Sequence, residues 1–151
     1  MTNSEPIIDV KLVNHPVSVS AIEPFPAQAG TECIFLGRTR SETHPDHGKL
    51  VRLEYEVYTT MAVHQLRDLA QQSINQFDCL AVRIHHSLGT IQIGEASVLV
   101  QVACGHRDKS FEACRFLIDQ LKQVVPIWKC EIWEDGFTWS ESATEVKKGI
   151  S

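Results

Sequence analysis

Two lysines, Lys122 and Lys129, bracket the segment Lys122-Gln123-Val124-Val125-Pro126-Ile127-Trp128-Lys129. The first falls at the end of an amphipathic stretch of helical spacing; the second opens an alternating stretch just past a proline. Two ammonium groups on either side of a stiff Pro-Ile-Trp corner suit an anionic or electrophilic substrate. A lysine near other cations and partly desolvated has a depressed pKa and can exchange protons near neutrality. A lysine at a helix end also has a plainer role, since cations favour the negative end of the helix dipole.

Two further clusters carry arginine. Gly105-His106-Arg107-Asp108 lies between an apolar run and a helical pattern. Backbone N–H groups at a helix start favour anions, and the Arg107 guanidinium adds a forked donor for phosphate or carboxylate. Gly37-Arg38-Thr39-Arg40 ends another apolar run. Its glycine allows close backbone approach, and Arg38 and Arg40 share a side if the strand stays regular. Charged strand ends also discourage edge pairing.

Other candidates are weaker. His44, Asp46 and His47 are metal-ligand types, but a proline-containing loop gives them no defined geometry. Cys104 near His106 has the makings of a cysteine hydrolase; a buried, inert thiol at the end of an apolar strand is the simpler reading. His85 and His86 alternate across a strand and cannot share one site. His64 is expected to face solvent. Trp128, Trp133 and Trp139 either pack the core edge or wall a pocket for a flat heterocycle.

These residues need a scaffold, and the chain is long enough for one domain with a core, 151 residues. With 19 acidic and 14 basic residues the net charge is -5, which argues against a non-specific nucleic-acid binder. Five cysteines, an odd number without a C-x-x-C pair, indicate free thiols in a reducing cytoplasm. No secretory leader and no run of membrane-spanning length are evident. The domain is taken as 1–151, with 1–9 and 141–151 flexible.

Periodicity predicts the elements. Val10 to Val13 reads as a short strand, Val17 to Ile22 as a strand or helical turn, and Cys33 to Arg40 as a strand entering solvent. In Leu50 to Tyr58, Val51, Leu53, Tyr55 and Val57 face one way. Thr59 or Thr60 caps a helix whose apolar face is Ala62, Leu66, Leu69, Ala70 and Phe77. Leu80 to Leu88, Thr90 to Ile93 and a central Ser97 to Cys104 follow as strands. Asp108 caps a second helix with a stripe of Phe111, Cys114, Leu117, Ile118 and Leu121. Pro126 stops it near Val124, and Glu134-Asp135-Gly136 turns a final hairpin. The order gives an α+β domain with a mainly antiparallel or mixed sheet.

Taken together, several segments resemble the catalytic (large) subunit family of molybdopterin synthase. They are Phe35-Leu36-Gly37-Arg38-Thr39-Arg40, Leu53-Glu54-Tyr55-Glu56-Val57-Tyr58 with Met61-Ala62, Ile93-Gly94-Glu95-Ala96-Ser97, Gly105-His106-Arg107, and Lys122 to Lys129 followed by Glu131. They cover roughly residues 32 to 139 in the family's order; Lys-x-x-x-Pro-x-Trp-Lys after His-Arg is the specific part.

The resemblance implies an α/β-hammerhead-type fold and a homodimer. It implies a small ubiquitin-like sulfur carrier on each subunit, giving a heterotetramer, with a C-terminal Gly-Gly thiocarboxylate entering the pocket. The substrate would be cyclic pyranopterin monophosphate, converted to the dithiolene of molybdopterin without metal or bound cofactor. Lys122 would move protons or activate the carbonyl carbon, and Lys129 would bind phosphate or thiocarboxylate, oriented by Glu131. Substrate contacts are implied at Arg38, Thr39, Arg40, His106, Arg107, Lys122, Lys129, Cys130 and Glu131. Cys130 and Ser87 depart from positions often basic in the family, which bears on carrier docking. A non-catalytic dimeric module binding an acidic Gly-Gly tail would keep the same basic clusters. Thiol blocking separates the hydrolase reading from the synthase.

Overall fold

The structure, a computed structural model, describes residues 5–140. In chain order it contains β1 (Ile7–Val13), β2 (Thr31–Arg38), β3 (Thr43–His44), β4 (Gly48–Val57), α1 (Thr59–Phe77), β5 (Ala81–Ser87), β6 (Gly89–Gln92), β7 (Ala96–Cys104), α2 (Arg107–Val124), β8 (Ile127–Trp133) and β9 (Gly136–Trp139). This is the expected α+β class. Of the stretch 1–9 expected to be loose, residues 7–9 belong to β1; residues 1–4 and 141–151 lie outside the described residues.

The first sheet has the order β1-β5-β7-β2. β1 runs parallel to β5, and β7 is antiparallel to both β5 and β2. β7 is central, and all nine of its residues are buried, which is why it reads as an unbroken apolar run. The two helices pack together on this sheet, α1 against β1 and β5, α2 against β2 and β7. Val82, Ile84, Val100 and Val102 meet Leu66, Leu69, Leu117 and Leu121 in the main core. Each fully buried leucine there contributes about 1.5–3 kcal/mol.

The second sheet has the order β3-β4-β8-β9, with β6 on β4 as well. Its strands pair antiparallel.

Several local expectations change. Val17 to Ile22 is neither strand nor helix. It is held by side chains instead: the Ser20 carbonyl accepts from Arg83 and Gln101, while Val17 and Ile22 are buried. The ladder shifts between Leu50 and Arg52, so Val51 turns outward, 40% exposed, while Leu50 and Leu53 are buried. Tyr58 and His106, not Thr59, Thr60 or Asp108, are the N-caps, and neither makes a side-chain cap hydrogen bond. Phe111 is 63% exposed, and Ser110 and Ala113 take the buried side. Ser110 can be buried because its hydroxyl pairs with Thr31.

Candidate active-site cavity

Pro126 sets the geometry at the end of α2. It forces Val125 into extended backbone (φ -86, ψ 132), while the Val125 N–H still bonds the Leu121 carbonyl at 3.3 Å. The Ile127 N–H bonds the Val125 carbonyl at 2.8 Å, closing a tight corner around the proline. The chain thus swings from helix to sheet within three residues. Lys122 on the last helical turn and Lys129 on β8 both line one cavity of about 480 Å³.

The cavity lies between the C-terminal half of α2, the helix-covered face of the first sheet and the inner face of the second. Along β8 the pleat sends Ile127, Lys129 and Glu131 into it, and β4 adds Leu53 and Tyr55. Arg38, Thr39 and Arg40 enter from the end of β2. The predicted lysine and Gly-Arg-Thr-Arg clusters, distant in sequence, therefore converge. Arg38 Nη1 donates to the Gly94 carbonyl at 2.8 Å, and the Thr39 N–H bonds the Glu95 carbonyl at 2.9 Å. The Gly94 turn thereby clamps the arginine segment. Arg40 pairs with Glu42 at 3.0 Å in an exposed contact of little energetic weight. Thr39 is 4% exposed and its Oγ1 is a buried oxygen without a hydrogen-bond partner among the described residues.

Gly37 has a packing role as well. A Cβ there would meet Val98 Cγ1 at 2.6 Å and the Phe35 ring at 3.3 Å. Its missing side chain makes room for core packing, and Gly37 itself lines the cavity.

Glu131 is oriented by its neighbours. Trp133 Nε1 donates to Thr138 Oγ1 at 2.9 Å, and Thr138 Oγ1 donates to Glu131 Oε1 at 2.8 Å. None of Trp128, Trp133 and Trp139 lines the cavity. Trp128 packs edge-on against Tyr58, and Trp133 lies against His44.

The cavity also holds residues that the sequence reading did not single out for a site. Tyr55, His86 and Ser97 line it together. Tyr55 Oη and Ser97 Oγ are 3.0 Å apart, and the Tyr55 ring meets His86 edge-on with centroids 5.0 Å apart. His86 Nδ1 bonds the Ser87 carbonyl at 2.8 Å. Burial drives the His86 imidazole down to about 4, the Ser87 carbonyl opposing and the Lys129 charge adding to the shift. Burial also pushes the Tyr55 phenol up. Alternation separated His85 from His86 correctly: His85 faces Asp9 on the other side of the sheet.

The remaining site candidates lie elsewhere. His106 and Arg107 are exposed at the N-terminus of α2 and do not line the cavity. At about 1.5 Å per residue, Arg107 and Lys122 stand roughly 20 Å apart along the helix. Beneath this turn, a Cβ on Gly30 would strike the Gly105 carbonyl oxygen at 2.6 Å, so the loop before β2 supports the turn by backbone contact. Cys130 is buried on the opposite face of β8 from Lys129. Ser87 also points away, its hydroxyl donating to the His15 carbonyl at 2.7 Å. Cys104 is fully buried with its Sγ 3.5 Å from Cys79, which leaves His106 no accessible thiol to activate. Among the described residues no group of His, Cys, Asp and Glu is placed to hold a metal ion, His44, Asp46 and His47 included. Likewise no described helix is long and apolar enough to cross a membrane.

The family model described as MoaE protein matches residues 12–124. The chain belongs to the MoaE protein family. The molybdopterin synthase catalytic subunit of Bacillus subtilis is 40% identical over 112 residues, covering 74% of this chain and 70% of its own length. Molybdopterin synthase from Staphylococcus aureus superposes with a TM-score of 0.78 at 31% identity, over 86% of this chain and 95% of the other. A Helicobacter pylori structure described as a complex of subunits 1 and 2 of molybdopterin-converting factor shares the fold, with a TM-score of 0.68 at 18% identity over 87% and 90% of the two chains. In this MoaE chain neither Cys130 nor Ser87 lines the cavity.

Proposed function

We propose that this chain is the catalytic subunit of a molybdopterin synthase, a sulfurtransferase of molybdenum cofactor biosynthesis. Sulfur passes from the C-terminal Gly-Gly thiocarboxylate of a small ubiquitin-like carrier to cyclic pyranopterin monophosphate. Two successive transfers give the dithiolene of molybdopterin. The observation that carries this reading is the convergence of Arg38, Arg40, Lys122 and Lys129 on one cavity in a MoaE chain. Substrate phosphate and thiocarboxylate are both anions, and a low-dielectric cleft lined by cations concentrates them.

Lys122, exposed at the mouth, moves protons or polarises the thiocarboxylate carbonyl carbon. Lys129, half-buried on β8, binds phosphate or thiocarboxylate, and Glu131 orients it. Thr39 adds a hydroxyl beside the arginines. The reading calls for no resident metal or cofactor and for a cytoplasmic homodimer, 1–151 acting as one domain, with one carrier per subunit in a heterotetramer. His106 and Arg107 then serve the partner subunit's cavity.

The test mixes the protein with thiocarboxylated carrier and the pyranopterin and looks for dithiolene. Product is expected, and carrier affinity is expected to fall with rising salt. A carrier without its terminal Gly-Gly should give none. Tight carrier binding without product would instead make the chain a non-catalytic tail-binding module.

A further inference from the structure

The cavity is graded in charge. Arg38, Arg40 and Lys122 are exposed, whereas His86 and Ser97 are 4% and 5% exposed. Arg38, Arg40 and Lys122 therefore stand at the mouth and neutral polar groups at the base. The half-buried Lys129 is close enough to the base for its charge to act on His86. Among the base groups, His86 is the most constrained. Its Nδ1 faces the Ser87 carbonyl, which can only accept, so Nδ1 carries the proton. The neutral ring is then left with Nε2 as its acceptor. Tyr55, itself tied to Ser97, fixes the ring plane.

We propose that His86 is a specificity-determining residue, its Nε2 accepting an N–H of a flat heterocycle at the base of the cavity. The ligand thus enters heterocycle-first and leaves its anionic group among the cations at the mouth. This rests on the proposed function, where the pterin supplies the N–H donors and the cyclic phosphate the anion. A buried neutral acceptor discriminates well, because a ligand without the donor leaves it unpaired. A carboxylate there would instead pair with Lys129 and weaken the anion site.

The experiment measures binding of three probes to the full chain by calorimetry: cyclic pyranopterin monophosphate, an unphosphorylated pterin, and inorganic phosphate. His86→Phe keeps a flat ring against Tyr55 and removes the acceptor. It is expected to weaken both pterin probes about tenfold, the scale of one lost hydrogen bond, and to leave phosphate unchanged. His86→Gln, whose amide oxygen can reach the Nε2 position, should stay within about threefold of wild type. If His86→Phe does not fold, His86→Leu against His86→Gln makes the same comparison. Unchanged pterin affinity overturns the proposal. So does equal loss of all three probes, which would mean a collapsed cavity, or lost turnover at unchanged affinity, which would make the ring a support for Lys129. Wild-type protein that binds pterin yet forms no dithiolene with thiocarboxylated carrier defeats the sulfur-transfer reading and leaves His86 assigned. Wild-type protein that binds phosphate but neither pterin overturns both.

Discussion

The two ends of α2 carry similar residues and have opposite surroundings. At the C-terminal end, Lys122 meets Lys129, Glu131 and the β2 arginines across one cavity. At the N-terminal end, His106 and Arg107 stand exposed and do not line that cavity. A straight helix cannot bring its own ends around one small substrate. Basic residues at a helix terminus are thus not a site by themselves; a site forms where a second element folds back on them. At the C-terminal end that element is β8, turned inward by Pro126. At the N-terminal end no element among the described residues does so; under the proposed function it comes from another chain.

Removing Lys122 tests the cavity end most severely. Lys122→Ala is expected to reduce turnover by about 100- to 10,000-fold, the range for a lost acid–base group. The side chain is exposed, so thermal stability should stay near wild type. A folded variant with near-normal turnover would make the cavity end no more catalytic than the other.

The cavity end also has its own acid sensitivity. His86 takes up a proton near 6.5 when unfolded and only near 4 when folded. Between those values the unfolded state binds more protons, so falling pH favours unfolding. The contribution is complete above 6.5, is lost as pH falls toward 4, and is constant below that. It amounts to roughly 3 kcal/mol. Asp9 acts in a lower window: burial pushes its carboxyl up, but hydrogen bonds from Arg83 and His85 outweigh this and hold it below its usual value. Urea midpoints measured from pH 7 to 4 should fall for wild type and stay nearly flat for His86→Phe. Parallel curves would remove His86 as the source.

Much of this was legible in the sequence because it depends on local rules. The apolar face of α1 at Ala62, Leu66, Leu69, Ala70 and Phe77 is the buried face. Pro126 stops α2 where a proline must, and Gly136, at φ 115, opens β9 directly after the Glu134-Asp135 turn of the final hairpin. What failed required tertiary information. Phe111 looks like a core residue until Thr31 supplies Ser110 with a hydroxyl partner. Val51 looks inward until a bulge turns it out. Tyr55, His86 and Ser97 come from three strands of two sheets, and no spacing within one strand announces their meeting. The one signal was strand alternation, which already put His86 on the side opposite His85.

The N-terminal end is tested by mixing. Arg107→Ala and Lys122→Ala proteins should each be nearly inactive, yet exchange of subunits should restore activity. If each site takes its lysines from one chain and its His-Arg turn from the other, a mixed dimer has one intact site of two. Half the dimers are mixed at equal input, so recovery should approach about a quarter of wild-type turnover. Persistent inactivity with mixed dimers present would mean that the two ends of α2 do not cooperate across chains.

The smallest effect concerns how finely the cavity end is adjusted. The indole of Trp133 can only donate, so Thr138 Oγ1 accepts from it and sends its own hydrogen to Glu131. Thr138→Val keeps the shape of the hairpin and removes the hydroxyl. Glu131 then loses the donor that fixes its carboxylate on the cavity face of β8, and the Trp133 N–H loses its acceptor. The expected result is a fall in turnover of about tenfold or less, with a stability loss of about 1–3 kcal/mol for the unpaired groups. Because Glu131 itself remains, the carboxylate samples more orientations and the pH profile of turnover should broaden. Unchanged turnover and profile beside a measurable stability loss would assign the Trp133-Thr138 relay to holding β8 and β9 together. Glu131 would then be oriented by the substrate when it arrives.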